Sequence, residues 1–208
     1  MSGAVLLGHS VDGRPLRAFE VGDPKSPNKE LVVGCIHGNE AAGIAIARWL
    51  EQQSPAGVDL WIVPDLNPDG RAHGTRGNAH GVDLNRNFPF RWRPLAGPYD
   101  SGVRPLSEPE SRIAYRLIRK LRPRVSIWFH QHRDAVDESG GSVSIERSYA
   151  MHVGLPLVRL IREPGSVVGW ENHVLHGSTA FVVELPRGRL SHAETVRYGR
   201  AVISAGRR

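Results

Sequence analysis

The motif HGNE at residues 37–40 places two common metal-binding residue types directly after an apolar, strand-like run. His37 and Glu40 stand three residues apart in this sequence of 208 residues. A turn at Gly38 would let both side chains face one ion, since histidine and glutamate are frequent zinc ligands. A glutamate in the first turn of a helix also suits the helix dipole without any metal. The motif alone leaves a metal site and an ordinary polar turn both open.

A third ligand is available where the apolar run VSIWFH ends in His130, with His132 close behind. Ligands of open α/β sheets bind at the carboxyl ends of strands, so this strand end and His37 can meet. Two histidines, one carboxylate and an open fourth position are the ligand set of many catalytic zinc sites, although cobalt or manganese could also bind. Strand-end geometry favours His130 over His132. The alternative is a polar histidine with no ligand role.

Glu184 lies near the end of another apolar run, TAFVVEL at residues 179–185. A carboxylate at such a position is costly unless it is solvated, paired or functional. Beside a zinc site, a glutamate that does not bind the metal can serve as the general base that a hydrolase needs. A solvated or paired acid is the other interpretation.

The segment TRGNAHGVDLNRNFP, residues 75–89, supplies side chains that recognise anions. An arginine guanidinium can bind a carboxylate through two parallel hydrogen bonds. The adjacent pair Asn85 and Arg86 therefore suits a substrate carboxylate, and Arg76 could stabilise an oxyanion formed during hydrolysis. A solvated basic loop is the other interpretation.

The elements that must position these residues follow from the apolar periodicity of the chain. Short β-branched and aromatic runs predict strands at 4–8, 16–21, 30–36, 58–64, 125–130 and 179–185. Helices are predicted at 40–53, 108–121, 147–153, 167–176 and 193–204, the second starting from a capping box at Ser107. Alternating strands and helices predict an α/β layered fold. The segment 65–104 has almost no periodicity, which is typical of a loop that is either functional or disordered.

Length and composition narrow the class of protein. With 40% hydrophobic residues, the chain can form one domain over residues 1–208. No apolar stretch approaches the roughly 20 residues of a membrane-spanning helix, and no signal peptide is recognised. A single cysteine, Cys35, agrees with a reducing compartment, so we expect a cytoplasmic protein.

The net charge of +6 raises the question of a nucleic-acid partner. Only three of the basic residues are lysines, and the arginines are spread along the chain without a basic helix or a nucleic-acid motif. We therefore expect no nucleic-acid partner, although the charge can attract an acidic substrate. The sequence does not fix the oligomeric state.

Seven motifs, taken in order, resemble those of the zinc carboxypeptidase family of metallopeptidases. They span residues from about 31 to 190 and read HGNE, NPDG, TRGNAHGVDLNRNFP, LSEPES, HQ, PGSVVGW and VVELP. HxxE alone is a weak signal, whereas the block around Asn85 and Arg86 is specific. The likeness is greatest to the short bacterial branch of murein peptide amidases.

The resemblance implies a three-layer α/β/α domain around a mixed, twisted sheet. It also implies a Zn²⁺ ion held by His37, Glu40 and His130. Asp83 matches an acidic position that supports the first zinc histidine in the family, and such partners fix the tautomer of a ligand. The implied partner is a small peptide substrate with a free carboxylate.

The same resemblance implies roles for the remaining polar residues. Arg76 would polarise the scissile carbonyl, and Asn85 with Arg86 would hold the terminal carboxylate. Glu184 would activate the water and then protonate the leaving amine. The short chain must lack several loops that shape the pocket, so we expect a branched or unusual substrate such as a γ-D-glutamyl-diaminopimelate peptide.

One departure from the family pattern concerns a tyrosine that many members carry before the catalytic glutamate. Residues 162–179 contain no tyrosine. Trp170, His173 or His176 could line the same space. This segment therefore supplies no tyrosine to assist in the transition state.

Other functions stay open at this point. N-acyl amino acid deacylases related to succinylglutamate desuccinylase and aspartoacylase share HGNE and DLNR, whereas NPDG, TRGNAHG and SEPES favour the peptidase. A catalytically inactive zinc-binding protein would have no use for Glu184 as a general base. A nucleic-acid-binding protein would show steeply salt-dependent binding to DNA.

Overall fold

In the computed structural model, which describes residues 3–161 and 163–207, eight strands form one sheet. The predicted boundaries include residues 1, 2 and 208, and the segment without tyrosine begins at residue 162; all four lie outside the described residues. The strands are β1 (Gly3–His9), β2 (Pro15–Gly22), β3 (Lys29–Val33), β4 (Asp59–Val63), β5 (Val125–Gln131), β6 (Ala135–Asp137), β7 (Leu157–Val158) and β8 (Thr179–Leu185).

The sheet is mixed and has the order β1-β2-β4-β3-β5-β8-β6-β7. The central strands β4, β3, β5 and β8 run parallel to one another. Antiparallel pairing joins β2 to β4 and β6 to β8. Strands β3, β5 and β8 are buried along almost their whole length, which explains their nearly continuous apolar sequences. Their carboxyl ends all lie at one edge of the sheet.

The helices cover both faces of the sheet. They are α1 (Gly43–Leu50), α2 (Pro68–His73), α3 (Pro109–Leu121), α4 (Val143–Val153), α5 (Val167–Val174) and α6 (His192–Gly206). One apolar cluster joins α1, α4 and α6 to the sheet through residues such as Ile46, Tyr149 and Val202. A second cluster joins α3 and α5 to alternate strand residues through Leu117 and Trp170. The predicted three-layer α/β/α architecture is confirmed.

The structure corrects several boundaries. Helix α1 begins at Gly43 rather than at residue 40, because the amide of Glu40 donates to the carbonyl of His37 and closes a turn. The capping box at Ser107 is wrong: α3 begins at Pro109, one residue after Glu108, whose side chain forms no cap hydrogen bond. Glu110 instead accepts from the amide of Val11.

Five elements of the described residues, two of them 3-10 helices, have no counterpart among the predicted strands and helices. Strands β6 and β7 are three and two residues long, too short to show an alternating pattern. Helix α2 lies inside the segment 65–104, together with 3-10 helices at Leu84–Arg86 and Gly97–Tyr99. That segment is therefore folded rather than a plain loop. Within the described ranges, no helix has both the length and the apolar character needed to cross a membrane.

Candidate active site

Three side chains converge at the carboxyl ends of the neighbouring strands β3 and β5. The Nδ1 atom of His37 is 2.9 Å from Oε2 of Glu40. The Nδ1 atom of His130 is 3.0 Å from the same oxygen and 3.1 Å from Nδ1 of His37. All three residues are buried. The two strand ends therefore bring the predicted ligand set together.

The geometry and chemistry of this triangle fit a metal ion. Tetrahedral zinc with bonds of about 2.0–2.1 Å separates its ligand atoms by about 3.3 Å, close to the observed spacing. Two facing imidazole nitrogens and a carboxylate oxygen offer lone pairs at the same point. Burial tends to raise the pKa of Glu40, but the neighbouring side chains of His130 and His37 hold it well below its usual range. The residues present can thus hold a divalent cation such as zinc.

Asp83 orients His37 from the side away from the cluster. Its Oδ1 lies 3.0 Å from Nε2 of His37, and both groups are buried. A proton on Nε2 leaves the Nδ1 lone pair facing the cluster, which is the tautomer a metal requires. Burial tends to raise the pKa of Asp83, but the charges of His37 and Arg76 hold it below its usual range. The carboxylate is therefore ionised beside the histidine.

Arg76 bridges Glu40 of the cluster and Asp83 behind it. Its Nε donates to Oδ2 of Asp83 at 2.9 Å, and its Nη1 donates to Oε1 of Glu40 at 2.8 Å. The side chain of Asn67 fixes the loop, because its Nδ2 donates to the carbonyls of Ile36 and Arg76. The motif NPDG, which contains Asn67, therefore places Arg76 against the turn of HGNE.

Gly38 is needed where these two motifs meet. A Cβ atom at Gly38 would lie 2.0 Å from the carbonyl carbon of Gly70 in α2, a distance that only glycine avoids. The amide of Gly38 also donates to the carbonyl of Arg76 at 3.3 Å. The glycine in HGNE thus serves close backbone packing in addition to the turn.

Asn85 and Arg86 belong to the 3-10 helix that follows Asp83. The Oδ1 of Asn85 accepts from the amide of Val167 at 2.9 Å, which ties the helix to the start of α5. The Nη1 of Arg86 donates to the carbonyl of Asn85 at 2.9 Å. The buried Nε of Arg86 has no hydrogen-bond partner among the described residues. Arg86 therefore has donor capacity left for a ligand.

The motif PGSVVGW positions Arg86 through its first glycine, Gly165. Gly165 has φ +67°, and a Cβ atom there would lie 2.1 Å from the carbonyl oxygen of Arg86. The carbonyl of Gly165 accepts from the amide of Phe88 at 2.9 Å. The turn at Gly165 therefore packs directly against the backbone of Arg86.

Glu184 faces the cluster from the adjacent strand. Its Cα is the register partner of His130 in the parallel pair of β5 and β8. Its Oε2 is buried and has no hydrogen-bond partner in the part of the chain that the structure describes. Burial raises the pKa of Glu184 above its ordinary value, against the opposing effect of His130. A poorly solvated carboxylate of this kind is a good proton acceptor.

All the predicted site residues except Asp83 line one cavity of about 520 Å³, and Asp83 lies behind His37. His132 also reaches the cavity, but it is exposed and its Nε2 is 2.8 Å from Nη2 of Arg187 rather than in the cluster. The histidine that joins His37 and Glu40 is His130. The preference for His130 on strand-end geometry thus agrees with the observed arrangement.

Tyr99 is a cavity residue that sequence reasoning missed. Its ring centroid lies 5.4 Å from Cζ of Arg76 and 5.6 Å from Cζ of Arg86. A single tyrosine in the stretch GPYD carries no periodic or motif signal, so only the folded loop shows its position. Trp170 and His173, considered as substitutes for the family tyrosine, pack against other aromatic rings. Tyr99 instead lies beside the two arginines of the cavity.

The fold and the His–Glu–His cluster define an α/β protein with a candidate metal centre of the type found in zinc hydrolases. The family model described as zinc carboxypeptidase matches residues 2–137. The chain therefore belongs to the zinc carboxypeptidase family, a family of hydrolases.

Relatives and solved structures agree with this assignment. Murein peptide amidase A of Escherichia coli K12 is 31% identical over 185 residues, covering 81% of this chain and 76% of that protein. Bacteriocin BCN5 of Clostridium perfringens is 31% identical over 230 residues and 97% of this chain, but the chain spans only 25% of its length. The crystal structure of the murein-tripeptide amidase MpaA from Escherichia coli O157 matches with a TM-score of 0.79 and 26% identity, over 99% of this chain and 92% of that one. Carboxypeptidase A from Helicoverpa armigera shares the fold at 18% identity, with a TM-score of 0.78 over 100% of this chain and 70% of that one.

Proposed function

We propose that this chain is a zinc-dependent hydrolase that cleaves a peptide or amide bond next to a free carboxylate. The observation that carries the proposal is the meeting of three groups in one cavity. These are the cluster of His37, Glu40 and His130, the poorly solvated acid Glu184, and the buried cation Arg86.

His37, Glu40 and His130 would hold the zinc ion, with Asp83 fixing the tautomer of His37. Bound there, zinc supplies a Lewis acid that polarises a carbonyl and makes water easier to deprotonate at neutral pH. The observed distances support this ligand set, because the three nitrogen and oxygen atoms lie within 3.1 Å of one another.

Glu184 acts as the general base and later as the general acid. It takes a proton from the attacking water as the water oxygen bonds to the carbonyl carbon. It then gives that proton to the leaving nitrogen as the carbon–nitrogen bond breaks, so that one water is consumed and a carboxylate and an amine are released. Arg76 lies beside the cluster, where its guanidinium can stabilise the negative charge that develops on the carbonyl oxygen.

Arg86 and Asn85 bind the free carboxylate of the substrate. Arg86 has a buried Nε that lacks a partner among the described residues, and Glu163 lies 3.9 Å from its Nη2. The side-chain oxygen of Asn85 is engaged by Val167, so its amide nitrogen is the group that can donate to a ligand. A carboxylate satisfies both donors at once.

The proposed substrate class is a γ-D-glutamyl-diaminopimelate peptide of the cell wall. Support comes from the relatives named murein peptide amidase and from the cavity of about 520 Å³, which has room for an unusual peptide. The alternative is an N-acyl amino acid deacylase. Steady-state hydrolysis of γ-D-glutamyl-diaminopimelate should exceed that of N-succinylglutamate, and the reverse order would favour the deacylase. Turnover of plain C-terminal peptides with none of the murein peptide would keep the hydrolase and reject the cell-wall substrate.

Arg86→Ala is expected to raise KM for substrates with a free carboxylate while changing kcat much less. Because the substitution removes a charge-assisted bidentate hydrogen bond to the substrate, kcat/KM should fall by on the order of 10- to 100-fold. An analogue with a carboxamide in place of the carboxylate should be much less affected. The matched control is Arg93→Ala, which removes an exposed arginine of the same loop segment. Equal losses on both substrates would remove Arg86 from this role.

We also propose that residues 1–208 act as one domain in the cytoplasm, without a nucleic-acid partner. The single sheet supports one domain. The lone, buried Cys35 agrees with a reducing compartment such as the cytoplasm. Cell fractionation tests the location, and recovery with periplasmic or extracellular markers would contradict it.

A further inference from the structure

Tyr99 occupies the space between the two arginines of the cavity. Its ring centroid is 5.4 Å from Cζ of Arg76 and 5.6 Å from Cζ of Arg86, within the range of a cation–π contact. The tyrosine is 52% exposed, whereas Arg86 is 6% exposed. An exposed ring therefore covers a buried cation at the mouth of the cavity.

The position of Tyr99 is tied to the metal cluster through the backbone. The next residue, Asp100, accepts a hydrogen bond from the amide of Asp83 at 2.8 Å. The carbonyl of Ser101 accepts from Nδ2 of Asn87 at 2.7 Å and from Nε1 of Trp92 at 3.1 Å. The backbone that follows Tyr99 is thus held at a defined place relative to Asp83, which itself contacts His37 and Arg76.

The two arginines differ in how their charges are balanced. Arg76 pairs with both Glu40 and Asp83. Among the described residues, Arg86 forms one ion pair, with Glu163 at 3.9 Å, and the side chain of Glu163 is 45% exposed. Asp83 acts on Arg86 through its charge and not through an ion pair. The face of an aromatic ring attracts a cation through its quadrupole. A carboxylate at this point would occupy the N–H donors of Arg86, whereas a ring stabilises the charge and leaves those donors free.

We propose that Tyr99 is a positioning residue that holds Arg86 ready to bind the carboxylate of the substrate. This inference rests on the proposed function, since it assigns Tyr99 to the recognition of the same carboxylate. Tyr99 acts through the ring face and not through its hydroxyl group. It thereby favours substrates with an anionic end over neutral ones.

Two variants of the zinc-loaded protein test this role, Tyr99→Phe and Tyr99→Leu. Both substitutions remove the hydroxyl group and leave an apolar side chain, but only Tyr99→Phe keeps the face of an aromatic ring. On γ-D-glutamyl-diaminopimelate, Tyr99→Leu should raise KM roughly 3- to 30-fold with little change in kcat, and Tyr99→Phe should match the wild type. On the carboxamide analogue, the three proteins should have similar KM values. Equal loss on both substrates, no loss in Tyr99→Leu, or equal loss in both variants would overturn the proposal.

A binding measurement separates this inference from the proposed function. Calorimetric titration of the same peptide into Glu184→Gln and into the double variant Glu184→Gln/Tyr99→Leu needs no turnover. Failure of the wild type to hydrolyse any peptide with a free carboxylate would reject the function. Even then, weaker binding of the peptide to Glu184→Gln/Tyr99→Leu than to Glu184→Gln would support the role of Tyr99. Equal binding, or no binding to either protein, would overturn it. Zinc content and the thermal unfolding midpoint should be unchanged in Tyr99→Leu, and a loss of either would assign the residue a purely structural role.

Discussion

Glu184→Gln is expected to retain zinc and to lose nearly all turnover, by on the order of 10²–10⁴-fold or more in kcat. Glutamine preserves the size of the side chain but cannot accept the proton of the attacking water. The three proposed zinc ligands should be unaffected, because Glu184 lies opposite His130 on the neighbouring strand and is not one of the three clustered residues. The measurement is kcat beside metal content by atomic absorption on the same preparation.

The control for this experiment is Glu163→Gln. It removes a different carboxylate from the same cavity, one that lies 3.9 Å from Arg86 and away from the cluster. Its kcat should stay near that of the wild type. If Glu184→Gln were as active as the wild type, another group would have to be the base, and the proposed mechanism would be wrong.

His130→Ala is expected to lose both zinc and activity. The substitution removes one of three ligand atoms from a triangle whose sides measure 2.9, 3.0 and 3.1 Å. Loss of groups that merely support a metal ligand typically costs 10- to 100-fold in affinity, so loss of a ligand itself should cost about 100-fold or more. The affinity can be measured by competition with a chromogenic zinc chelator.

His132→Ala is the matched control for His130→Ala. His132 is only two residues away and reaches the same cavity, but its ring contacts Arg187. Zinc affinity in this variant should equal that of the wild type. Retained zinc in His130→Ala, with loss in His132→Ala, would reverse the assignment of the third ligand.

The strand-end residues of the site could be predicted because their sequence signals are local. The apolar runs before His37 and His130 and around Glu184 form the buried parallel strands β3, β5 and β8. The carboxyl ends of adjacent parallel strands must meet at one edge of the sheet. His130 and Glu184 lie on these strands as register partners, and His37 lies in the turn that follows β3.

The loop residues of the site could not be placed in the same way. Arg76 contacts Glu40 and Asp83 only because Asn67 and Gly38 pack α2 against the turn of HGNE. Those contacts are non-local hydrogen bonds and close backbone approaches, which leave no periodicity in the segment 65–104. The arginine content of the segment made Arg76 a candidate for an oxyanion and the resemblance to a family gave it a role at the scissile carbonyl, whereas Tyr99 matched no motif and was missed.

Local rules also failed where tertiary contacts competed with them. Ser107 was predicted to cap α3, but its hydroxyl donates to Oε1 of Glu108 at 2.7 Å and accepts from Asn87. Glu110, the partner expected in a capping box, instead accepts from Asn78 at 3.0 Å. Buried polar groups take the partners that satisfy the whole fold, and a capping pattern is only one candidate.

The measurement that tests the central claim most directly is the initial rate of γ-D-glutamyl-diaminopimelate hydrolysis as zinc is returned to the chelated protein. The proposed function predicts no hydrolysis without metal, then a rise that saturates at one zinc per chain. Full activity in the metal-free protein would contradict the claim. So would a protein that binds zinc at this ratio and hydrolyses no substrate with a free carboxylate.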